Sequence, residues 1–316
     1  MTIIEKNNVD WLKVIAALSV LMAHYAMYAM KHIDLYPSVN YIICGLVGYW
    51  GPVAIFFFLS GYGLMESEKK HHCPTRLFFG KRFAKIYVPV LTVTALWMPS
   101  YFDFISTEAH PNMLRLLSVD FGDGALWFIK SLLLLYVVFQ IYVLLNRRNT
   151  LVGVIVFFCL TAVVQCFTHQ HIAWFGSDAV MMFFIGALSS RFSDKGSRTV
   201  NVATVLLVVY AVCGYGIYHS LRLVSNIMVL IAIILICNYI YTRTIKMPNC
   251  PPLLLALSFD IYLTHNKLLA LIEHYNFTVI MPVFLLISIG CAYVFHILRT
   301  SLTARIPGIS TLSQSS

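Results

Sequence analysis

The chain has 316 residues, of which 59% are hydrophobic and only 11% carry a charged side chain. Soluble domains contain about 25% charged residues, so much of the apolar surface of this protein must face lipid. The composition therefore argues against a soluble enzyme and, despite a net charge of +9, against a nucleic-acid-binding protein. No CxxC pair occurs among the eight Cys residues, so we expect neither a disulfide framework nor a zinc site.

Apolar runs recur along the whole chain, and each is interpreted as a helix that crosses about 30 Å of hydrocarbon. They lie at roughly 11–30, 41–64, 86–101, 125–145, 151–168, 179–190, 200–218, 225–241, 253–272 and 278–298. The runs predict an all-α fold, a polytopic membrane bundle of about ten transmembrane helices. We expect residues 1–298 to form a single transmembrane domain and residues 299–316 to form a short cytoplasmic tail.

Basic residues are distributed unevenly among the connections between these runs. Sixteen of the 22 Lys and Arg residues, Arg299 among them, lie in one alternating set of connections. Only three, Lys31, Arg115 and Arg222, lie in the other set, which carries acidic residues such as Glu273. Membrane proteins carry such an excess of basic residues in their cytoplasmic loops. We therefore expect both termini to lie in the cytoplasm, which requires an even number of spans.

The first apolar run contains two ionisable side chains, Lys13 and His24, which are eleven positions apart. At ~100° per residue they share one face of a helix. The rise between them is ~16 Å, which places Lys13 near one interface and His24 deep in the hydrocarbon. Ionisable groups at that depth usually face a cavity or a partner. The helix is therefore predicted to form one wall of a polar site, with Asp10 one turn before Lys13 to orient it.

The second run contains the sequence FFFLSGYGL, in which Ser60 precedes Gly61 and Gly63 lies two positions after Gly61. Because glycine lacks a side chain, another helix or a ligand can approach the backbone closely at these positions. The pattern by itself does not choose between tight helix packing and a ligand site, so both interpretations stay open.

The connection after the second run is the most basic segment of the chain. Arg82 and Lys85 are three positions apart at the expected start of the third span, so they share a helix face. Cytoplasmic topology and attraction to anionic lipid would account for their charge. A cytoplasmic site for a phosphorylated donor would account for it equally well.

The ninth run is apolar but contains a cluster of polar side chains. These are Asp260, His265, Asn266 and Lys267. If the helix starts near Leu253, His265 lies about 18 Å along it, close to the middle of the membrane. A single buried His is usually a satisfied core residue, but a second deep His on another span favours a functional cavity.

Five short motifs, in their order and placement on the spans, resemble the acyltransferase-3 family of integral-membrane acyltransferases. The family motifs are D-x-x-R with a His eleven positions after the Arg, an FF pair shortly before SG, R-x-x-R before a proline, LW-F, and S-[YF]-x-x-Y-L-x-H. The matching residues in this chain are Asp10, Lys13 and His24; Phe57, Phe58, Ser60 and Gly61; Arg82, Lys85 and Pro89; Leu126, Trp127 and Phe128; and Ser258, Phe259, Tyr262, Leu263 and His265.

The chain departs from the family pattern at two of these positions. Lys13 and Lys85 stand where the family usually has arginines. Lysine keeps the positive charge but lacks the planar fork that binds phosphate or carboxylate in a bidentate manner. The chain also shows no C-terminal extracytoplasmic hydrolase-like domain of the kind that some polysaccharide-modifying members carry, so we expect the stand-alone form.

The resemblance implies a multi-pass enzyme of the inner (cytoplasmic) membrane, an acyl-CoA-dependent O-acyltransferase. Such an enzyme moves an acyl group, most often acetyl, from acetyl-CoA to a hydroxyl group. The implied acceptors are sugars of a cell-surface polysaccharide or of its lipid-linked glycan precursor. Acetyl-CoA would be a co-substrate, and no tightly bound cofactor, metal ion or nucleic acid is expected. Membrane lipid would be the remaining partner.

Together, the resemblance and the residues predict specific roles. His24 would act as the general base or would carry the acyl group as an acyl-histidine, and Asp10 and Lys13 would complete the catalytic group. The phosphates of the donor would bind three basic residues, Lys13, Arg82 and Lys85. Three residues would support the catalytic group or contact the acceptor, and these are Ser60, Trp127 and His265.

Two other classes of protein compete with the enzyme. A transporter or flippase of a lipid-linked sugar or small acid would usually show paired repeats with spans broken by Gly or Pro at matching positions. The sequence shows no such pairing. A structural or regulatory membrane protein would not need deep ionisable residues on two separate spans.

Overall fold

The computed structural model describes residues 6–32, 51–71, 75–105, 127–171, 177–192, 248–275 and 279–304. In these ranges the chain forms α-helices and one short 3-10 helix, Ser177–Val180, without a β-strand. The α-helices are α1 (Lys6–His32), α2 (Gly51–His71), α3 (Thr75–Ile105), α4 (Trp127–Asn146), α5 (Thr150–His171), α6 (Met181–Phe192), α7 (Pro252–His274) and α8 (Met281–Ala304). The predicted all-α class is confirmed for this part of the chain.

Four of the described helices are long and apolar enough to cross a membrane. Their candidate spans are Asn7–Lys31, Trp127–Asn146, Thr150–Thr168 and Met281–Leu302. The coarser prediction, a helical protein that crosses the membrane more than once, is therefore confirmed. The runs expected at roughly 200–218 and 225–241 lie outside the described residues. The total of about ten spans and the side of each terminus accordingly stay predictions.

Several helices extend beyond the apolar runs that predicted them. α3 begins at Thr75, well before the run that starts near residue 86, so Arg82 and Lys85 lie inside the helix rather than at its start. A helix keeps its backbone hydrogen bonds within itself, and it therefore continues past the edge of the hydrocarbon without a change of structure. An apolar run in the sequence therefore predicts which segment crosses the hydrocarbon, but it does not predict where the helix begins and ends.

Local sequence signals account for two of the helix starts. The side-chain oxygen of Asn149 accepts hydrogen bonds from the backbone N–H groups of Leu151 at 3.0 Å and Val152 at 3.2 Å, and so caps α5. Pro252 opens α7, where its missing N–H has no helical partner to lose. These signals fix the first turns of helices whose composition is otherwise almost uniformly apolar.

By its internal contacts the chain divides into two compact units. The first takes in Met1–Val20, Gly45–Cys73 and Ser131–Leu255. The second takes in Leu21–Cys44, Pro74–Lys130 and Ala256–Ser316. The first unit therefore contains α2, α5, α6 and most of α4, whereas the second contains α3, α8, most of α7 and the second half of α1.

In the first unit, α2 and α6 touch through two glycines. A Cβ added at Gly61 would overlap the carbonyl oxygen of Phe183, and one added at Gly186 would overlap that of Phe58. The two backbones therefore meet at reciprocal positions where only a hydrogen atom fits. Gly63 is exposed, and no described atom lies within 4 Å of a Cβ placed there. Of the two interpretations of Gly61, the structure supports helix packing.

An aromatic cluster fills the space beside this contact. Phe139, Tyr142, Phe157 and Phe183 are all buried. The rings of Tyr142 and Phe157 stack with centroids 4.6 Å apart, and Phe157 meets Phe183 edge-on at 6.3 Å. The guanidinium of Arg191 donates a hydrogen bond to the hydroxyl of Tyr142 at the end of the cluster. The core of the first unit is thus closely packed aromatic and aliphatic surface.

In the second unit, the second half of α1 lies against α7 and α8. The hydroxyl of Tyr25 donates a hydrogen bond to the carbonyl oxygen of Val279 at 2.5 Å. The Tyr25 ring also lies 5.1 Å from the ring of Phe284 on α8. Tyr25 therefore anchors the segment that leads into α8 to α1, at the position directly after His24 and about 100° around the helix from it.

Candidate functional site

Two histidines from different helices meet in the second unit. His24 on α1 and His265 on α7 have ring centroids 4.9 Å apart, and their planes are inclined at 78°. His265 is only 1% exposed, whereas His24 is half-buried. An edge-to-face arrangement at this distance is a direct ring contact, and no hydrogen bond joins the two imidazoles among the described residues. The structure therefore brings together the two deep histidines that the sequence singled out.

Backbone carbonyl groups determine which nitrogen of His265 carries the proton. Its Nδ1 lies 2.8 Å from the carbonyl oxygen of Tyr262 and 3.2 Å from that of Ile261. Because a carbonyl oxygen only accepts hydrogen bonds, Nδ1 must be the protonated donor. In a neutral ring Nε2 then holds the lone pair. This atom is buried and has no hydrogen-bond partner among the described residues, so it is available to a proton donor.

The half-buried side of His24 faces a groove of about 300 Å³. The groove is lined by one face of α1 and one face of α7, each with the i, i+3, i+4, i+7 spacing of a helix surface. The lining residues are His24, Met27, Tyr28 and Lys31 on α1 and Asn266, Leu269, Ala270 and Glu273 on α7. The volume is at the small end of the range for ligand pockets.

An ion pair stands at the open end of this groove. The Lys31 ammonium lies 3.5 Å from a carboxylate oxygen of Glu273, and the two side chains are 73% and 48% exposed. Lys31 is also the last residue of the first candidate span. His24 lies seven residues earlier on α1, about 10 Å below this end. The groove therefore runs from the end of the first candidate span to an imidazole that lies within it.

The family model of acyltransferase-3, described as an acyltransferase domain, matches residues 6–303. The chain belongs to the acyltransferase-3 family. No curated protein and no solved structure matches the chain significantly. The resemblance predicted from the five motifs is thereby confirmed, and the chain is a multi-pass membrane acyltransferase of this family.

A chain of aromatic rings connects Trp127 of this acyltransferase to its histidine pair. Trp127 meets Phe128 edge-on at 6.4 Å, and Phe128 meets Tyr262 at 5.3 Å. Tyr262 in turn lies 5.7 Å from the His265 ring. These rings pack behind His265 on the start of α4 and on α7, so Trp127 supports the pair through two intervening residues rather than by direct contact.

A buried ionic cluster joins α7 to α8 in the same unit. The carboxylate of Asp260 is fully buried, and one of its oxygens lies 2.8 Å from Nδ1 of His296 and 2.9 Å from a guanidinium nitrogen of Arg299. A buried carboxylate requires such a partner. The sequence predicted Arg299 as one of the basic cytoplasmic residues, but it lies within α8 and compensates the charge of Asp260.

The structure places Asp10 and Lys13 one turn apart on α1, with their charged atoms 3.6 Å apart. On the same turn, the side chain of Asn7 accepts a hydrogen bond from the backbone N–H of Cys250 at 2.8 Å. Burial raises the pKa of the Cys250 thiol, the carboxylate of Asp10 raises it further, and the ammonium of Lys13 lowers it. The Asp10–Lys13 pair therefore lies close to the segment that leads into α7.

The remaining predicted site residues lie in different units of the acyltransferase. Ser60 is half-buried on α2 and belongs, with Lys13, to the first unit. Arg82 is half-buried and Lys85 is exposed on α3, and both belong to the second unit. The donor site expected around Lys13, Arg82 and Lys85 therefore stays a prediction.

Three of the polar groove residues, Tyr28, Lys31 and Glu273, were not identified as site residues from the sequence. Lys31 and Glu273 were assigned to outer connections between spans, and Tyr28 was not singled out. Their helical spacing was nevertheless visible, because Tyr28 and Lys31 follow His24 by four and seven positions. Extending the face of His24 towards the end of α1 would have predicted both residues.

Proposed function

We propose that this acyltransferase moves an acetyl group from acetyl-CoA to a hydroxyl of a cell-surface glycan or its lipid-linked precursor, and that the reaction takes place at the His24–His265 pair. The proposal rests on one observation, the two imidazoles in contact at the inner end of a groove that opens at the membrane surface. A base at that position can act on a hydroxyl that enters from the surface while water is largely excluded.

In the proposed reaction, His24 is the general base. The acceptor oxygen attacks the thioester carbonyl carbon while its proton passes to the free ring nitrogen of His24. The tetrahedral intermediate then collapses, the C–S bond breaks, and the protonated His24 returns the proton to the departing CoA thiolate. The products are the acetyl ester and CoA. General-base assistance of this kind contributes about 10²–10⁴-fold to the rate.

His265 is proposed to orient His24. Since Nδ1 of His265 donates to backbone carbonyls, its Nε2 is an acceptor, and it lacks a partner among the described residues. The two rings are in contact at 4.9 Å, and we propose that rotation of the His24 ring during the reaction brings one of its N–H groups to that atom. Such a hydrogen bond would fix the tautomer of His24 and leave its other nitrogen unprotonated. A base held in one tautomer by a neighbouring group is a recurring arrangement in acyl-transfer enzymes.

The donor is proposed to bind from the cytoplasm, with its phosphates at the predicted basic group of Lys13, Arg82 and Lys85. Asp10 would hold the Lys13 ammonium in place, as its 3.6 Å contact allows. Ser60 and Trp127 keep their predicted supporting roles. A covalent acyl-histidine at His24 is a second route, in which the imidazole attacks the thioester before the acceptor arrives.

The direct test is acetyl transfer by the purified protein in lipid nanodiscs, with [¹⁴C]acetyl-CoA and a glycan acceptor. Release of CoA that depends on the acceptor, together with labelled glycan, is the expected result. Movement of an unmodified sugar across the membrane without CoA release would contradict the proposal and favour a transporter or flippase. Incubation without acceptor distinguishes the two routes, because only the acyl-histidine route labels the protein itself.

A further inference from the structure

We propose that the α1–α7 groove binds a single uncharged sugar residue of the acceptor, and that Lys31 and Glu273 select against charged sugars at its open end. This inference rests on the proposed function, since it takes the acceptor to be a glycan. It assigns a binding site and a selectivity to residues that lie outside the family motifs found in the sequence.

The lining of the groove matches the surface of a pyranose. A sugar ring presents hydroxyl groups around its edge and C–H groups on its faces. The groove offers the amide of Asn266 and the hydroxyl of Tyr28 for the edge, and Met27 and Leu269 for the faces. A lipid chain would require a uniformly apolar lining, and a nucleotide would require a concentration of positive charge.

The dimensions of the groove limit it to one sugar residue. Its volume is about 300 Å³, and its length from His24 to Lys31 is about 10 Å. A ring that fills this space places one of its hydroxyls at the inner end, against His24. The next residue of a longer glycan would then lie outside the ion pair, at the membrane surface.

The ion pair explains why the sugar should be uncharged. Lys31 and Glu273 compensate each other at 3.5 Å, so these two described side chains together bring no net charge to the open end of the groove. A diol can hydrogen-bond to both the ammonium and the carboxylate while they stay paired. A uronate that binds the Lys31 ammonium must separate it from Glu273, and the two carboxylates then repel each other. An amino sugar that binds the Glu273 carboxylate leaves its own ammonium beside that of Lys31.

The test uses the single variants Lys31→Gln and Glu273→Gln in nanodiscs, with three probes: methyl α-D-glucoside, D-glucuronate and 6-amino-6-deoxy-D-glucose. Equilibrium binding of each radiolabelled sugar and acetyl transfer to each sugar are measured separately. We expect Glu273→Gln to improve glucuronate relative to the glucoside by about five- to tenfold, and Lys31→Gln to improve the amino sugar similarly. Both shifts should shrink at high salt, because the pair is exposed.

Two further variants control for general effects of the substitutions. The swapped pair Lys31→Glu with Glu273→Lys should restore the preference for the uncharged sugar. Glu68→Gln removes a carboxylate from an ion pair of the first unit, Arg147–Glu68 at 3.1 Å, and should leave the preference unchanged. The KM for acetyl-CoA should be the same in all of these proteins.

The outcomes separate this inference from the proposed function. If the wild-type protein transfers acetyl groups and both single variants keep its sugar preference, the groove is not the acceptor site and the inference is overturned. If the sugar binding shifts as expected but no protein transfers acetyl groups, the binding site stands and the proposed function is wrong.

Discussion

The α2–α6 contact and the α1–α7 groove show two ways in which helices of this protein meet. At the first, Gly61 and Gly186 bring two backbones into direct contact, and no space is left. At the second, side chains such as Tyr28 and Leu269 hold the helix faces apart around a groove of about 300 Å³. The absence of side chains therefore produces packing in this membrane protein, whereas larger and partly polar side chains produce a cavity where chemistry can occur.

The largest effect is expected from filling the packed contact. Gly61→Leu should lower the free energy of unfolding by about 3 kcal/mol or more, because the added side chain overlaps the backbone of α6. Thermal melting of the purified protein measures this loss. Gly63→Leu is the matched control, since that position is exposed and should tolerate the change. Equal melting temperatures for the two variants would contradict the packing role of Gly61.

The next largest effect should come from the ionic cluster that joins α7 to α8. Arg299→Met leaves the buried carboxylate of Asp260 with a weakened set of partners and should destabilise the protein by about 3 kcal/mol. The double variant Asp260→Asn with Arg299→Met should be less destabilised than the single variant, because no uncompensated carboxylate remains. A double variant that loses stability additively would show that the two residues do not interact.

A smaller effect, on rate rather than stability, is expected at the histidine pair. His265→Ala should lower the rate of acetyl transfer by about 10- to 100-fold, because His24 loses the group that orients it. His265→Gln should recover part of the rate, since the glutamine oxygen can replace Nε2 as an acceptor. Leu271→Ala on the same helix is the control. Equal rates for the Ala and Gln variants would limit His265 to a packing role.

The smallest effect concerns the thiol near the Asp10–Lys13 pair. In a protein that keeps Cys250 as its single cysteine, Lys13→Gln should raise the pKa of the thiol and Asp10→Asn should lower it, given the directions of their charges. At pH 8 the thiolate fraction, and hence the alkylation rate with iodoacetamide, should fall by about twofold in the first variant and rise by about twofold in the second. Lys70→Gln is the control, and its alkylation rate should equal that of the parent protein. Unchanged alkylation rates in the Lys13 and Asp10 variants would show that these two charges do not act on the Cys250 thiol.

The sequence was sufficient to predict the histidine pair because depth and helical phase are properties of a single helix. Counting residues from the ends of two apolar runs placed His24 and His265 deep in the membrane. Their contact distance of 4.9 Å required the register of α1 against α7, which the sequence does not contain. The sequence also left the role of Gly61 undecided, because the backbone that Gly61 contacts belongs to α6 and the register of α2 against α6 cannot be derived from the sequence.

The Lys31–Glu273 and Asp260–Arg299 pairs were out of reach for a related reason. Lys31 and Glu273 are 242 positions apart in the chain, and only the parallel alignment of two helices brings them together. Arg299 was predicted to be a cytoplasmic residue because it follows the last apolar run, where an excess of basic residues marks the cytoplasmic side. A charge rule assigns residues to a side of the membrane, but it does not identify which buried carboxylate they compensate.

The central claim is that acyl transfer depends on the imidazole at the inner end of the groove. The most direct test is the rate of [¹⁴C]acetyl transfer by His24→Ala beside the wild-type protein and Ser19→Ala, a control on the same helix, all in nanodiscs. We expect His24→Ala to insert and melt normally but to transfer acetyl groups at least about 100-fold more slowly, and Ser19→Ala to be unchanged. A folded His24→Ala protein with the wild-type rate would contradict the claim.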